Sequence, residues 1–204
     1  MKVSLASNNP GKLKELRSLL APSRLSLVGQ RELGIESAPE TGITFIENAL
    51  EKARHVSRIS GLATLADDSG LVVDALGGAP GVFSARFAGP AATDADNNAK
   101  LLTELADIRN PTAHYYCALV FLAHAEDPCP LVVTGRWDGQ ITFEARGANG
   151  FGYDPYFYLP TLGITAAELD GPAKNRLSHR GQAMAGLLDS LPRKLEEIAL
   201  GRSS

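Results

Sequence analysis

Cysteine is almost missing from this sequence: its 204 residues include two, Cys117 and Cys129, alongside two methionines and one tryptophan. So few thiols exclude a disulfide framework as the basis of the fold. Long apolar runs are missing too, none approaching the ~20 residues that a membrane helix needs. Neither sign of charge dominates, since the formal net charge is -3. That balance excludes whole-molecule steering toward nucleic acid, and no nucleic-acid or membrane partner is expected. A polyphosphate ligand of such a chain must be held locally, by cations, backbone N–H groups or a metal. The opening Met1-Lys-Val-Ser-Leu-Ala6 reads as a strand without the charged and apolar regions of a secretory leader, so a cytoplasmic location is expected.

What is present suits a globular protein: 44% hydrophobic and 21% charged residues in 204, enough for one substantial core and one domain spanning 1–204. A zinc site built from His114, Cys117, His124 and Cys129 is disfavoured by strand geometry. In a strand from His114 to Ala125, residues 114 and 117 point to opposite faces, and 114 and 124 stand about 33 Å apart at ~3.3 Å per residue.

Periodicity gives the element order. A first strand runs into Ser7-Asn8-Asn9-Pro10-Gly11-Lys12, after which Leu13, Leu16, Leu19 and Leu20 recur at helical spacing. Asn9 suits an N-cap and Pro10 the first helical position. A second helix is predicted from Thr44, with Glu47 completing a capping box and Phe45, Ala49, Ala53 and Val56 on one face. Residues 63–66 and 71–73 read as strands around an acidic turn, Asp67-Asp68-Ser69-Gly70. Gly77-Gly78-Ala79-Pro80-Gly81 reads as loop, and Thr93 to Ile108 as helix. Tyr115–Ala123, Leu131–Trp137 and Ile141–Phe143 read as three antiparallel strands, the last pair turning at Asp138-Gly139. A helical tail from Ser178 to Leu200 is expected to be interrupted at Pro192. This order predicts an α/β fold around a mixed sheet, with residues 77–90 separating two lobes.

Two segments carry chemistry on physical grounds. Residues Ser7 to Lys12 bring free N–H groups, the positive end of a helix dipole and an ammonium to one point, which makes an anion site, although Asn-Pro-Gly is also an ordinary turn. The spacing is not that of a Walker loop. Asp67-Asp68 sets two carboxylates side by side, and magnesium, which accepts one or two carboxylates plus substrate phosphates, is the natural cofactor. A solvated acidic turn is the alternative. Glu40-Thr41-Gly42 adds a loop carboxylate. Phe151-Gly152-Tyr153-Asp154-Pro155 offers aromatics for a flat base and a carboxylate acceptor, although such a loop is more often core filler. Lys174 and Ser178-His179-Arg180 add cations and donors near a helix start, where a polar surface face is the ordinary alternative.

Taken in order, six segments together resemble the inosine/xanthosine triphosphate pyrophosphatases. They are Ser7-x-Asn9-x-x-Lys12, Glu40-Thr41-Gly42 to Ala53, Asp67-Asp68-Ser69-Gly70-Leu71, Leu76 to Gly81, Phe151 to Pro155 and Ser178-His179-Arg180-Gly181. The resemblance implies an elongated mixed sheet flanked by helices, two lobes with the active-site cleft between them, and a homodimer. It implies hydrolysis of ITP, dITP and XTP to monophosphate and pyrophosphate. By the same resemblance Ser7, Asn8, Asn9, Pro10, Gly11 and Lys12 would hold the triphosphate, and Glu40 and Asp68 would bind Mg2+, with Asp68 also the general base. Ser69, Phe151, Gly152, Tyr153 and Asp154 would contact the substrate, and Lys174, His179 and Arg180 would read the base edge. Gly171-Pro172 departs from the acidic, helical stretch expected there and leaves the placement of Lys174 in question. A pyrophosphatase for other modified nucleotides and a nucleotide-binding module without turnover are the alternative readings.

Overall fold

The structure, a computed structural model, describes residues 1–21 and 25–201. It is an α/β fold on one mixed seven-stranded sheet of order β2-β1-β3-β4-β5-β6-β7. The strands are β1 (Lys2–Ala6), β2 (Ser26–Gly29), β3 (Ala63–Val73), β4 (Thr112–Leu122), β5 (Leu131–Ile141), β6 (Phe157–Leu159) and β7 (Ile164–Thr165). The helices are α1 (Pro10–Leu20), α2 (Phe45–Ser60), α3 (Asp94–Glu104), α4 (Gly171–Leu177) and α5 (His179–Gly201). β1 pairs in parallel with both β2 and β3, whereas β6 runs antiparallel to β5 and β7. No helix among the described residues is long and apolar enough to cross a membrane.

The chain forms two compact units. The first comprises 1–68, 117–134 and 181–204, and the second 69–116 and 135–180. The first has its own core, in which Val3 and Leu5 of β1, Leu16 and Leu20 of α1, Leu119 and Phe121 of β4, and Met184 and Leu187 of α5 are buried. Val3 through Ala6 are all buried, as a parallel strand covered on both faces requires. The one hydroxyl there, Ser4 Oγ, lies 2.7 Å from Thr64 Oγ1. The second core gathers Leu101, Leu105, Tyr115, Trp137, Phe157 and Leu159.

Both predicted helix starts are present. Asn9 caps α1 by accepting from Lys12 N, and Thr44 caps α2 in a complete capping box with Glu47. Four other expectations are corrected. The acidic segment at 67–70 is no turn, because β3 continues straight through it. Gly70 serves a close approach instead: a Cβ there would collide with Ser84 Oγ and the Gly81 carbonyl. Asp138-Gly139 likewise lies inside β5, so Ile141–Phe143 is not a separate strand. A Cβ on Gly139 would meet Phe157 Cζ and the Tyr158 carbonyl oxygen, both at 2.6 Å, so the glycine lets β6 pack. Pro192 sits within an unbroken α5. Burial on either side of it, at Leu187, Leu191 and Lys194, outweighs the lost backbone hydrogen bond. Residues 77–90 do not divide the units but belong to the second, tied to α3 because Asn97 Oδ1 accepts from Ala88 N and Asn97 Nδ2 donates to the Ala85 carbonyl. A smaller difference is that α3 ends at Glu104, short of Ile108.

One buried polar cluster fastens α5 within the first unit. Lys194 Nζ lies 2.9 Å from Asp127 Oδ2 and donates to the Cys129 carbonyl. Burial alone would raise the Asp127 pKa, but the Ala123 N–H, the Lys194 ammonium and the Cys129 N–H outweigh it and hold it below the usual value of 3.8. A lowered folded-state pKa stabilises the fold above the unfolded value and loses that contribution as pH falls through the folded one. Asp127→Ala is expected to cost about 3 kcal/mol in urea unfolding at neutral pH, because it leaves a buried ammonium unpaired. Unfolding profiles at pH 7 and pH 3 check this, with the difference between variant and parent shrinking at the lower pH.

Candidate functional site

In the first unit, two helices deliver lysines to the two carboxylates of β3. Successive residues of a strand point to opposite faces, so Asp67 and Asp68 meet different partners. Lys12, in the first turn of α1, reaches Asp67 Oδ2 at 3.1 Å. Lys52, in the middle of α2, bridges Asp68 Oδ1 at 2.8 Å and Glu40 Oε1 at 3.1 Å. Asn48, one turn before Lys52, donates from Nδ2 to Asp68 Oδ2 at 3.4 Å while its Oδ1 accepts from Gly42 N at 2.8 Å. The loop before α1 is ordered by its own polar groups. Ser7 Oγ accepts from Asn9 N, Asn8 Nδ2 donates to Ser37 Oγ, and Pro10 and Gly11 form the first turn of α1. A separate cavity of about 550 Å³ in this unit is lined by residues including Thr41, Glu51, Arg54 and His55, but by none of Glu40, Lys52 and Asp68.

Lys52 and Asn48 are site residues that the sequence reading missed. A signal existed: positions 48 and 52 stand one turn apart beside the apolar stripe Ala49, Ala53 and Val56, and polar residues next to a core-facing stripe need partners.

Carboxylates outnumber ammonium groups in this cluster by three to two. Burial pushes the Asp68 pKa up, and Glu40 pushes the same way; Lys52 and Lys12 oppose without winning, so the carboxyl sits above its usual 3.8. For Lys52 burial works against the charge, but Asp68, Asp67 and Glu40 together outweigh it and raise its pKa above 10.5. The two upward shifts describe one imbalance, an excess of carboxylate around a buried strand.

In the second unit the remaining predicted residues gather around Asp154, which is 2% exposed. Asp154 Oδ2 accepts from Phe151 N at 2.9 Å and from Lys174 Nζ at 2.6 Å. The same ammonium lies 4.7 Å from the Phe151 ring centroid, with the Arg180 guanidinium at 5.9 Å. Arg180 Nη2 donates to Ser69 Oγ at 2.8 Å. His179 stacks on Tyr115 at 4.7 Å with 12° between planes. Tyr153 is buried, and its hydroxyl donates to the Ser84 carbonyl. Gly171-Pro172 forms the first turn of α4 behind the N-cap Asp170, and Lys174 follows on Asp154. Helix-compatible Pro at this position keeps the lysine in place.

A family model describing the Ham1 family matches residues 3–190. The chain belongs to the Ham1 family. Among relatives, it is 57% identical over 192 residues to the dITP/XTP pyrophosphatase of Photorhabdus laumondii, covering 93% of this chain and 98% of that protein. Against the dITP/XTP pyrophosphatase of Escherichia coli O157:H7 the identity is 56% with the same coverage. Among solved structures, a HAM1 protein from Coxiella burnetii superposes with a TM-score of 0.88 at 47% identity, covering 95% of this chain and 99% of that one. A nucleoside-triphosphatase / dITP/XTP pyrophosphatase from Mycobacterium abscessus gives 0.75 at 46%, covering 92% and 99%.

Whether this Ham1-family chain can hold a divalent cation is answered by the donor set. Among the described residues no group of three His, Cys, Asp or Glu is gathered into an all-protein cage. Glu40 and Asp68 nevertheless converge on one cationic point, the Lys52 ammonium, and two carboxylates plus substrate oxygens form a set that magnesium accepts. Removing the lysine would leave the buried Asp68 carboxylate without its ammonium partner. Lys52→Ala is therefore expected to lower stability by about 3 kcal/mol, and millimolar magnesium is expected to restore part of the loss. Thermal unfolding with and without the metal checks both.

Proposed function

We propose that this chain hydrolyses purine nucleoside triphosphates carrying hypoxanthine or xanthine, namely ITP, dITP and XTP, to the monophosphate and pyrophosphate, so cleansing the nucleotide pool. The observation that carries the reading is the Glu40–Lys52–Asp68 cluster around the buried Asp68 carboxylate in a chain whose Ham1-family relatives at 56–57% identity are dITP/XTP pyrophosphatases. In this proposal residues 1–204 act as one functional domain.

In this reading Glu40 and Asp68 would hold Mg2+, which would supply positive charge toward a bound triphosphate. Ser7 to Lys12 hold the triphosphate through the N–H groups of the α1 start and the Lys12 ammonium. Asp68, kept by Lys52 and Asn48 in a fixed orientation, takes a proton from the attacking water. The water oxygen bonds to the α-phosphorus, the bridging bond to the β-phosphate breaks, and pyrophosphate leaves.

The second cluster reads the base. Phe151 offers a face, and Lys174 and Arg180 are obligate donors, matching the 6-carbonyl of hypoxanthine or xanthine and opposing the 6-amino group of adenine. His179, held flat on Tyr115, adds a further polar edge. A cytoplasmic location and a homodimer complete the proposal, and a solution mass near 21.6 kDa would exclude the dimer.

The test is product analysis after incubation with magnesium and, separately, ITP, XTP, ATP and GTP. Monophosphate and pyrophosphate from ITP and XTP, with ATP spared, are expected, and Asp68→Asn is expected to fold normally with turnover lowered by at least ~10²-fold. Diphosphate and orthophosphate would place attack at the wrong phosphorus, and binding without products would make the chain a nucleotide-binding module.

A further inference from the structure

The segment proposed to receive the base is not held by its own residues alone. Gly152 is clamped on both of its backbone polar groups by α3. Its N–H donates to Asp94 Oδ2 at 2.7 Å, and its carbonyl accepts from Asn98 Nδ2 at 3.0 Å. Residues 94 and 98 lie one helical turn apart, so a single face of α3 supplies both.

The backbone explains why a clamp is needed here. Gly152 has φ +63, and a Cβ there would meet nothing within 4 Å, so its conformation is not dictated by crowding. Its neighbours are fixed differently. A Cβ on Gly150 would collide with the Asp154 carboxylate, and one on Gly147 with the Ala167 backbone. Between Phe151, whose N–H is tied to Asp154, and the buried Tyr153, whose hydroxyl is tied to Ser84, Gly152 has no side chain of its own to anchor it. The α3 pair supplies that anchor.

We propose that Asp94 and Asn98 are positioning residues that set the Phe151 ring for the purine base, and so govern base affinity and selection without touching the reacting phosphates. This rests on the reading of Phe151 to Asp154 as the base site. Asn98 supports a dedicated role in another way. It is buried, yet its Oδ1 has no hydrogen-bond partner among the described residues, so the Gly152 carbonyl is the contact that accounts for the amide. An orphan buried acceptor is a cost to folding.

The experiment measures kcat and KM for ITP and ATP with the full-length protein and its Asp94→Ala, Asn98→Ala, Asp94→Asn and Phe151→Ala variants, after thermal unfolding has confirmed that each is folded. Loss of either clamp bond is expected to raise KM for ITP about tenfold while kcat stays within about twofold, and to lower the ITP-to-ATP ratio of kcat/KM. Asp94→Asn keeps an acceptor oxygen and is expected to retain parental KM. Parental KM in both alanine variants, with KM raised in Phe151→Ala, overturns the clamp and spares the base site. Loss confined to kcat, or Asp94→Asn as impaired as Asp94→Ala, overturns it too. Parental behaviour in Phe151→Ala refutes the base-site reading and the clamp with it. Asn98→Ala decides alone should the Asp94 variants fail to fold.

Discussion

Two adjacent aspartates in the middle of a buried strand are the constraint around which the first unit is arranged. Asp67 is 1% and Asp68 5% exposed, and a carboxylate so placed needs a cation or hydrogen-bond donors. The period-2 geometry of β3 turns the pair into two separate demands, one on each face. Lys12 meets one from the first turn of α1, and Lys52 meets the other from α2 together with Glu40 and Asn48. The capping of both helices therefore has chemical consequences. Asn9 and Thr44 fix where α1 and α2 begin, and hence where the two ammonium groups arrive.

Carboxylate in excess of ammonium gives the cluster its chemical character. A purely structural ion-pair network gains from matching charges, whereas here burial and Glu40 leave Asp68 with a raised pKa despite two lysines. That imbalance is what the proposed metal and base roles draw on. The second cluster works differently. Asp154 gathers the Phe151 N–H and the Lys174 ammonium, and aromatic rings hold His179 flat. Its output is shape and donor placement.

Much of this was legible in the sequence, wherever the signal was local. The caps at Asn9 and Thr44, the apolar stripe of α2 and the α/β order follow from short-range rules, and the structure has them. The misreadings share one cause. Gly70 and Gly139 look like turn residues, but each is a glycine because another segment approaches it closely, and a distant neighbour leaves no mark in local spacing. Residues 77–90 look like a boundary for the same reason, since the Asn97 bonds that tie them to α3 are tertiary. Lys52 and Asn48 escaped notice because each is an ordinary polar residue of a helix until β3 brings Asp68 beside them. Pro192 was overruled by burial on both sides of it.

The most direct measurement of the central claim is a calorimetric titration of Mn2+ into the protein with a non-hydrolysable ITP analogue present, comparing the parent with Glu40→Gln. The account predicts one ion bound per chain by the parent and affinity lowered by at least about tenfold in the variant, since one of two carboxylate ligands is gone. Undiminished binding by Glu40→Gln would contradict it and place the cation elsewhere.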